Sequence, residues 1–471
     1  MGRQVRIKRV YVEGLHQQFD VDLSFNSGLN IIYGKNGTGK TTVLHLIANA
    51  LECDFKRFSF LQFNRILMEN DVGGIVEIAK EQASTYPTVK INGKVVAFSE
   101  TNPVLSEAEL GLLREVLGGR PTYLPAFRSV LERVRADQSV YYRHADRRDT
   151  EFEEMVQREV VALKERIPLK ANASPYEQRQ QDDEATATAQ KSTLCRQWFG
   201  RFVPAIRYPS VSEVEDALTE EWRSANLSVS LRERRMFEEI FIKVFRTIAG
   251  LEKTTGVENN DDLLKSIENL LKNQDSELES SESNNIYNLL LEAVKKTDTS
   301  VVSRGVDNSL LDIYRQVLEK RNMERRSAFQ RARDFEASVN KFLERKTFRI
   351  GAQRSTTGSR MRSAVSIVND MGHSYGISEL SSGERQILTM LYSASRTKFL
   401  SGVFLIDEPE LSLHIDWQRI ILRELQTQSP DCQIIACTHS PEVGADHVDA
   451  IQDFEPKPSA VRQTSLFPEE S

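Results

Sequence analysis

Along the first forty residues, apolar and polar positions alternate with the period of a strand. VRIKRVYVEGL, FDVDLSF and LNIIYG are set apart by turn residues such as NSG. The period then becomes helical, with Leu44, Ile47, Ala48 and Leu51 at i, i+3, i+4 and i+7. FNRILME, GGIVEIA, TVKING, KVVAFSE and TYLPAF (122–127) resume the strand pattern. Helical spacing dominates from there to about residue 346, and LRERRMFEEIFIKVFRTIAGL puts Phe237, Phe241, Val244 and Ile248 on one predicted face. Two polar stretches, 171–192 and 272–285, hold few apolar anchors and are predicted to be surface loops. KTFRI is again a strand. GVFLID, WQRIILREL and CQIIACT follow as strand, helix and strand, a parallel βαβ unit. The pattern predicts an α/β fold split in sequence. An N-terminal lobe (1–126) and a C-terminal lobe (347–455) are separated by a mostly helical insertion (127–346), and a Pro- and Ser-containing tail (456–471) follows.

Charge narrows the functional classes. Sixty-two basic and 68 acidic residues give a net charge of −6, which offers nothing to wholesale nucleic-acid binding, so any such site must be local. The densest candidate is 320–362, with thirteen Lys/Arg against four Asp/Glu. It is either a solvated helix face or a surface for DNA or a DNA-mimicking protein. No apolar run approaches the ~18–20 residues of a membrane helix, and the N-terminus lacks an apolar signal core, so no membrane contact and a cytoplasmic location are expected. Cys53, Cys195, Cys432 and Cys437 lack CxxC spacing and are expected to be buried free thiols.

Four short segments carry chemistry. GKNGTGKT, Gly34 to Thr41, meets the GxxxxGK[ST] pattern between a predicted strand and a predicted helix. Its candidate nucleotide-binding residues are Gly34, Asn36, Gly37, Gly39, Lys40, Thr41 and Thr42, with Lys40 on the β/γ phosphates and Thr41 also a Mg²⁺ ligand. VFLIDEPE ends a buried strand in two carboxylates: Asp407 for the metal shell and Glu408 to orient the attacking water. THSP (438–441) follows the next strand and offers His439 to the γ-phosphate. LSSGERQ (380–386) opens an amphipathic helix on small residues, a second place where backbone amides can face an anion.

P-loop, LSSGERQ, IDEPE and THS, in this order, resemble the ABC ATPase class, in which the signature of one subunit closes on the nucleotide of the other. The resemblance implies a P-loop NTPase of ABC type using ATP and Mg²⁺, with Glu408 and His439 catalytic. It further implies Ser381 and Gly383 contacting the γ-phosphate in trans, and a homodimer or higher homo-oligomer built through ATP sandwiching. Ser382 stands for the usual first glycine of the signature and Glu384 for the usual glutamine. ELSLH (410–414) resembles the D-loop, although the region reads HID (414–416) where HP is common. The Q-loop is not evident: Ala126 and Phe127 stand where glutamine is sought, and Gln62 is the other candidate.

YLPAFR, LSSGERQIL and IDEPELSLH with a short helical insertion resemble the OLD-like ATPases of bacterial defence, including Septu-type, PARIS-type and retron-associated ATPases. This implies a sensor or regulatory subunit that controls a separate effector. Thirty-two residues follow His439, too few for a TOPRIM domain, so a TOPRIM or HNH nuclease is expected on another chain. The alternatives are a RecF/SMC-like DNA-repair ATPase and a nucleotide-gated scaffold with negligible turnover. QTSLF (463–467) resembles a sliding-clamp docking peptide, weighed against the same residues folding back on this chain.

Overall fold

The computed structural model describes residues 5–80, 86–96, 105–128, 131, 149–166, 175–248, 260–272, 308–351, 363–397 and 402–459. Two compact units emerge: residues 1–210 with 381–471, and residues 211–380. The boundaries expected at 126/127 and 346/347 are not those of the units. Residues 149–210 pack with the first, and the strand predicted at KTFRI belongs to the second.

The first unit opens with β1 (Ile7–Leu15), β2 (Phe19–Ser24) and β3 (Leu29–Tyr33), then α1 (Lys40–Leu51). Next come β4 (Arg65–Asn70), β5 (Ile75–Ala79), β6 (Thr88–Ile91) and β7 (Lys94–Val96). Helix α2 (Glu107–Leu117) leads to β8 (Thr122–Leu124), α3 (Asp149–Glu165) and α4 (Pro175–Phe199). Helix α4 runs through most of the stretch predicted to be a loop at 171–192. Pro175 opens it, and Gln, Glu and Ala sustain it. Its buried face is a stripe of small residues, Ala185, Ala189, Ser192 and Cys195, which carries no apolar periodicity to read. Ser192 Oγ donates to the Thr188 carbonyl at 2.6 Å and accepts from the Ile206 amide at 2.8 Å. The 272–285 stretch lies almost wholly outside the described residues.

The second unit holds α5 (Val211–Ile248), α6 (Asn260–Lys272) and α7 (Asn308–Asn340), then β9 (Lys346–Ile350), β10 (Val365–Asn369) and β11 (Ser374–Tyr375). These strands form a small antiparallel sheet, with β10 in the middle. Helix α5 packs on α7, and the side chains buried there include Val229 and Met236. Of the residues predicted to share one face of α5, Phe241 is solvent-exposed and Val244 half-buried.

The chain returns to the first unit through α8 (Ser382–Thr397), β12 (Val403–Asp407), α9 (Ile415–Gln428) and β13 (Gln433–Thr438). It closes with a short helix α10 (Pro441–Gly444), β14 (Ile451–Asp453) and β15 (Lys457–Pro458). A parallel sheet in the order β14-β3-β13-β12-β8 forms the centre, and its inner strands β12 and β13 are buried on both faces, as such sheets require, while β14 at one end is partly exposed. Beside it, β15-β2-β1-β4-β5-β6-β7 form an antiparallel sheet. Gln433 ties the two: buried, it accepts from the Ile7 amide at 2.9 Å and donates to the Ile7 carbonyl at 2.7 Å. The four cysteines are buried and free.

Candidate nucleotide site

Strands β3, β13 and β12 are neighbours, and their C-terminal ends deliver the predicted motifs to one edge of the parallel sheet. That edge is where open α/β sheets bind ligands. Residues 34–39 link β3 to α1. Gly37 and Gly39 have φ of 80° and 101°, a region L side chains rarely adopt, and Gly39 caps α1. The loop can therefore fold over the helix N-terminus, whose first amides have no intrahelical partner. Lys35, Asn36 and Gly37 are open to solvent, and Thr42 is half-buried. Lys40 is buried and donates to the carbonyls of Gly34 (2.6 Å) and Lys35 (2.8 Å), which fixes its ammonium across the loop.

Thr41 Oγ1 donates to Asp407 Oδ2 at 2.9 Å, joining residues 366 positions apart in sequence. The second oxygen of Asp407 is buried and accepts no hydrogen bond. Burial raises the Asp407 carboxyl to about 6. The Thr41 hydroxyl opposes the shift, the Glu408 charge adds to it, Arg128 opposes and Glu410 adds. A buried carboxylate oxygen without a donor, beside a hydroxyl and further carboxylates, fits a hard cation such as Mg²⁺. Among the described residues no group of three or more His, Cys, Asp or Glu forms a metal cage. Mg²⁺ at this place would complete its shell with water and phosphate oxygens.

Glu408 has φ 46°, turning the chain sharply after β12, while its amide donates to the Cys437 carbonyl at 2.8 Å. His439 Nδ1 lies 3.4 Å from Glu408 Oε1 and 3.2 Å from Glu410 Oε1. Glu410 is the organiser here. Its Oε1 accepts from Thr438 Oγ1 (2.5 Å) and from the amides of His439 (3.0 Å) and Ser440 (3.1 Å). It therefore locks the loop after β13 onto the loop after β12.

Arg128 does the corresponding work from β8. Fully buried, its guanidinium donates to the carbonyls of Asp407 (3.0 Å), Glu408 (2.9 Å), Pro409 (3.1 Å) and, nearer home, Pro125 (3.3 Å). A planar fork of five N–H donors suits this task and an ammonium does not. Sequence reasoning quoted YLPAFR but assigned Arg128 nothing; its signal was a charge inside an otherwise apolar segment. The glutamine candidate Gln62 is exposed just before β4.

The signature residues open α8. The Ser381 amide donates to Glu384 Oε2 at 2.6 Å, and the Glu384 amide donates to Ser381 Oγ at 3.4 Å, a reciprocal cap that explains Glu384. A Cβ on Gly383 would lie 3.0 Å from the Ser412 carbonyl and 3.2 Å from the Trp417 ring, a close approach within the same chain that favours glycine there. His414 caps α9 through the Asp416 amide.

A family model described as "AAA domain, putative AbiEii toxin, Type IV TA system" matches residues 29–446. A DNA double-strand break repair Rad50 ATPase of Methanopyrus kandleri is 36% identical over 72 residues, 15% of this chain and 8% of that protein. The Retron Ec83 probable ATPase of Escherichia coli is 34% identical over 88 residues, 16% of each chain. The Retron Vc95 probable ATPase of Vibrio cholerae is 32% identical over 83 residues, 15% of this chain and 16% of that one. These matches span less than a fifth of each relative. Among solved structures, an Smc head domain from Pyrococcus furiosus, bound to the C-terminal domain of ScpA, aligns with a TM-score of 0.37 and 11% identity over 96% of both chains. One from Pyrococcus yayanosii aligns at 0.38 and 14%, over 94% of this chain and 93% of that one. Among the described residues no helix is long and apolar enough to cross a membrane. Matched over most of its length, the chain belongs to this AAA-domain family.

Proposed function

We propose that the chain binds ATP with Mg²⁺, hydrolyses it, and uses that cycle as the sensor or regulatory subunit of a bacterial antiviral defence complex. The observation that carries the reading is the Thr41–Asp407 hydrogen bond with the second Asp407 oxygen left free, set beside Glu408. Thr41 and Asp407 hold the metal, Lys40 and the 34–42 backbone hold the phosphates, Glu408 orients the attacking water, and His439 stands at the γ-phosphate. The names of the two retron ATPases support the defence setting. Within it, the quoted motifs support the finer OLD-like reading, with a separate TOPRIM or HNH nuclease as effector. The basic segment is the candidate surface for DNA or a DNA mimic. Part of its charge is already internal, because buried Arg321 pairs with Glu233 at 2.7 Å.

The site is proposed to be completed in trans by Ser381 and Gly383 of a second copy. Mixing an inactive Lys40→Ala subunit with an inactive Ser381→Arg subunit restores about one working site per heterodimer. No recovery, although native mass spectrometry finds the mixed dimer, contradicts the shared site. The Rad50 match keeps one second reading in play, a DNA-repair ATPase. Stimulation of hydrolysis by DNA ends would favour that reading over the defence role.

A further inference from the structure

Helix α5 is apolar on two opposite faces. One face, including Val229 and Met236, is buried, and the helix packs on α7. The other carries Leu227, Leu231, Phe241, Ile242 and Phe245, each between 55% and 74% exposed. At 3.6 residues per turn these five fall within about 100° of arc and run about 27 Å along the axis. A surface helix normally shows one apolar stripe, and large exposed apolar strips mark interaction sites.

The order of residues along this stripe indicates what covers it. Arg234 and Glu238 interrupt it at the middle, equidistant from position 236. On either side, Leu231 mirrors Phe241 and Leu227 mirrors Phe245. An antiparallel partner helix with the same sequence, related by a two-fold axis at 236, therefore meets Leu231 with Phe241, Leu227 with Phe245, and Arg234 with Glu238, twice over. Within one helix Arg234 and Glu238 stand 3.8 Å apart, both highly exposed and in the less favourable order for an i,i+4 pair. Ten large apolar side chains from two copies, on the order of 100 Å² each, reach the roughly 1,000 Å² that a specific interface needs.

We propose that a second copy of this chain docks on the outward face of α5, antiparallel and about this two-fold axis, forming a dimer that needs no nucleotide. The contact is isologous, the commonest closed arrangement of soluble oligomers. It is independent of the ATP-sandwiched contact proposed above and does not require Lys40.

The test is sedimentation of the full chain without nucleotide, in a Lys40→Ala background so that a shared ATP site plays no part. The expected result is a dimer at micromolar concentration, and a monomer for Leu231→Glu with Phe241→Glu. Charge reversal tests the register without touching the apolar contacts. Arg234→Glu alone sets four carboxylates around the axis and weakens the dimer about tenfold or more, and adding Glu238→Arg restores it. A wild-type chain that stays monomeric at about 50 μM overturns the proposal, whether the face is covered by another part of the chain, bound by a different protein or bare. So does a dimer that Arg234→Glu leaves unchanged, or one that the double reversal fails to restore.

Discussion

A buried ion cluster in the first unit and an exposed ion pair in the second use charge in opposite ways. In the first, Asp54 and Glu159 are buried with Arg57, Arg166 and Arg196 around them: Arg57 reaches Glu159 at 2.6 Å, Arg166 reaches Asp54 at 2.8 Å and Arg196 reaches Glu159 at 2.8 Å. Burial pushes the Asp54 carboxyl up, yet Arg166, Arg57 and Arg196 outweigh it and hold the group at about 2. In the second, Lys320–Glu239 is 3.7 Å apart with both side chains more than half exposed, and Arg223–Glu220 and Arg234–Glu238 are likewise exposed, whereas Arg321 is buried against Glu233. A glance at composition makes α4 and α5 alike, charged helices with few apolar residues. Burial separates them: an ion pair enclosed on all sides fixes geometry, while one in water contributes little.

The comparison is broken most severely at its buried end. Asp54→Ala leaves three arginines facing one carboxylate and should cost about 3–5 kcal/mol, read as a loss of cooperative melting or a large fall in denaturant midpoint. Wild-type stability in that variant would show that the cluster is solvated. Next in size is Arg128→Leu, which leaves the Asp407, Glu408 and Pro409 carbonyls with one fewer buried donor each. About 2–4 kcal/mol of stability is expected to go, together with most of the hydrolytic rate, and Arg128→Lys should recover stability better than rate. Equal rates in wild type and Arg128→Leu would remove the positioning role.

A smaller effect belongs to His45, buried on α1 with Nε2 2.8 Å from the Tyr123 hydroxyl. Burial lowers its pKa to about 3. The unfolded chain takes up this proton near pH 6.5 and the folded chain does not, so stability is full above pH 6.5 and falls as the pH drops towards 3. The slope is about 1.4 kcal/mol per pH unit for this one group. His45→Gln should flatten the melting profile between pH 6.5 and 5; an unchanged slope would assign the titration elsewhere. Smallest of all, Lys320→Ala should shift stability by no more than about 0.5 kcal/mol. A larger shift would mean that the second unit's surface pairs act as a network.

The candidate site was legible because its parts are local. A phosphate cradle needs consecutive backbone amides, so its glycines, Lys40 and Thr41 must be neighbours in sequence, and Asp407 and Glu408 must end an apolar strand. Arg128 and Glu410 escaped because their meaning is in contacts made elsewhere: Arg128 serves carbonyls 279 to 281 residues away, and Glu410 serves amides 29 and 30 residues on. Helix α4 escaped because a stripe of Ala, Ser, Thr and Cys packs closely without looking apolar. Residues 352–362 of the basic segment and 460–471, with the QTSLF tail, lie outside the described residues.

The central claim is that Glu408, beside the Thr41–Asp407 pair, is the group that orients water for ATP hydrolysis. Steady-state hydrolysis and equilibrium ATP binding, measured on the same preparations of wild type and Glu408→Gln, test it directly. The account predicts unchanged binding and a rate lower by about 10²-fold or more, as expected for loss of a positioned base. Equal rates in the two proteins, or a rate loss that merely follows weaker binding, would contradict it.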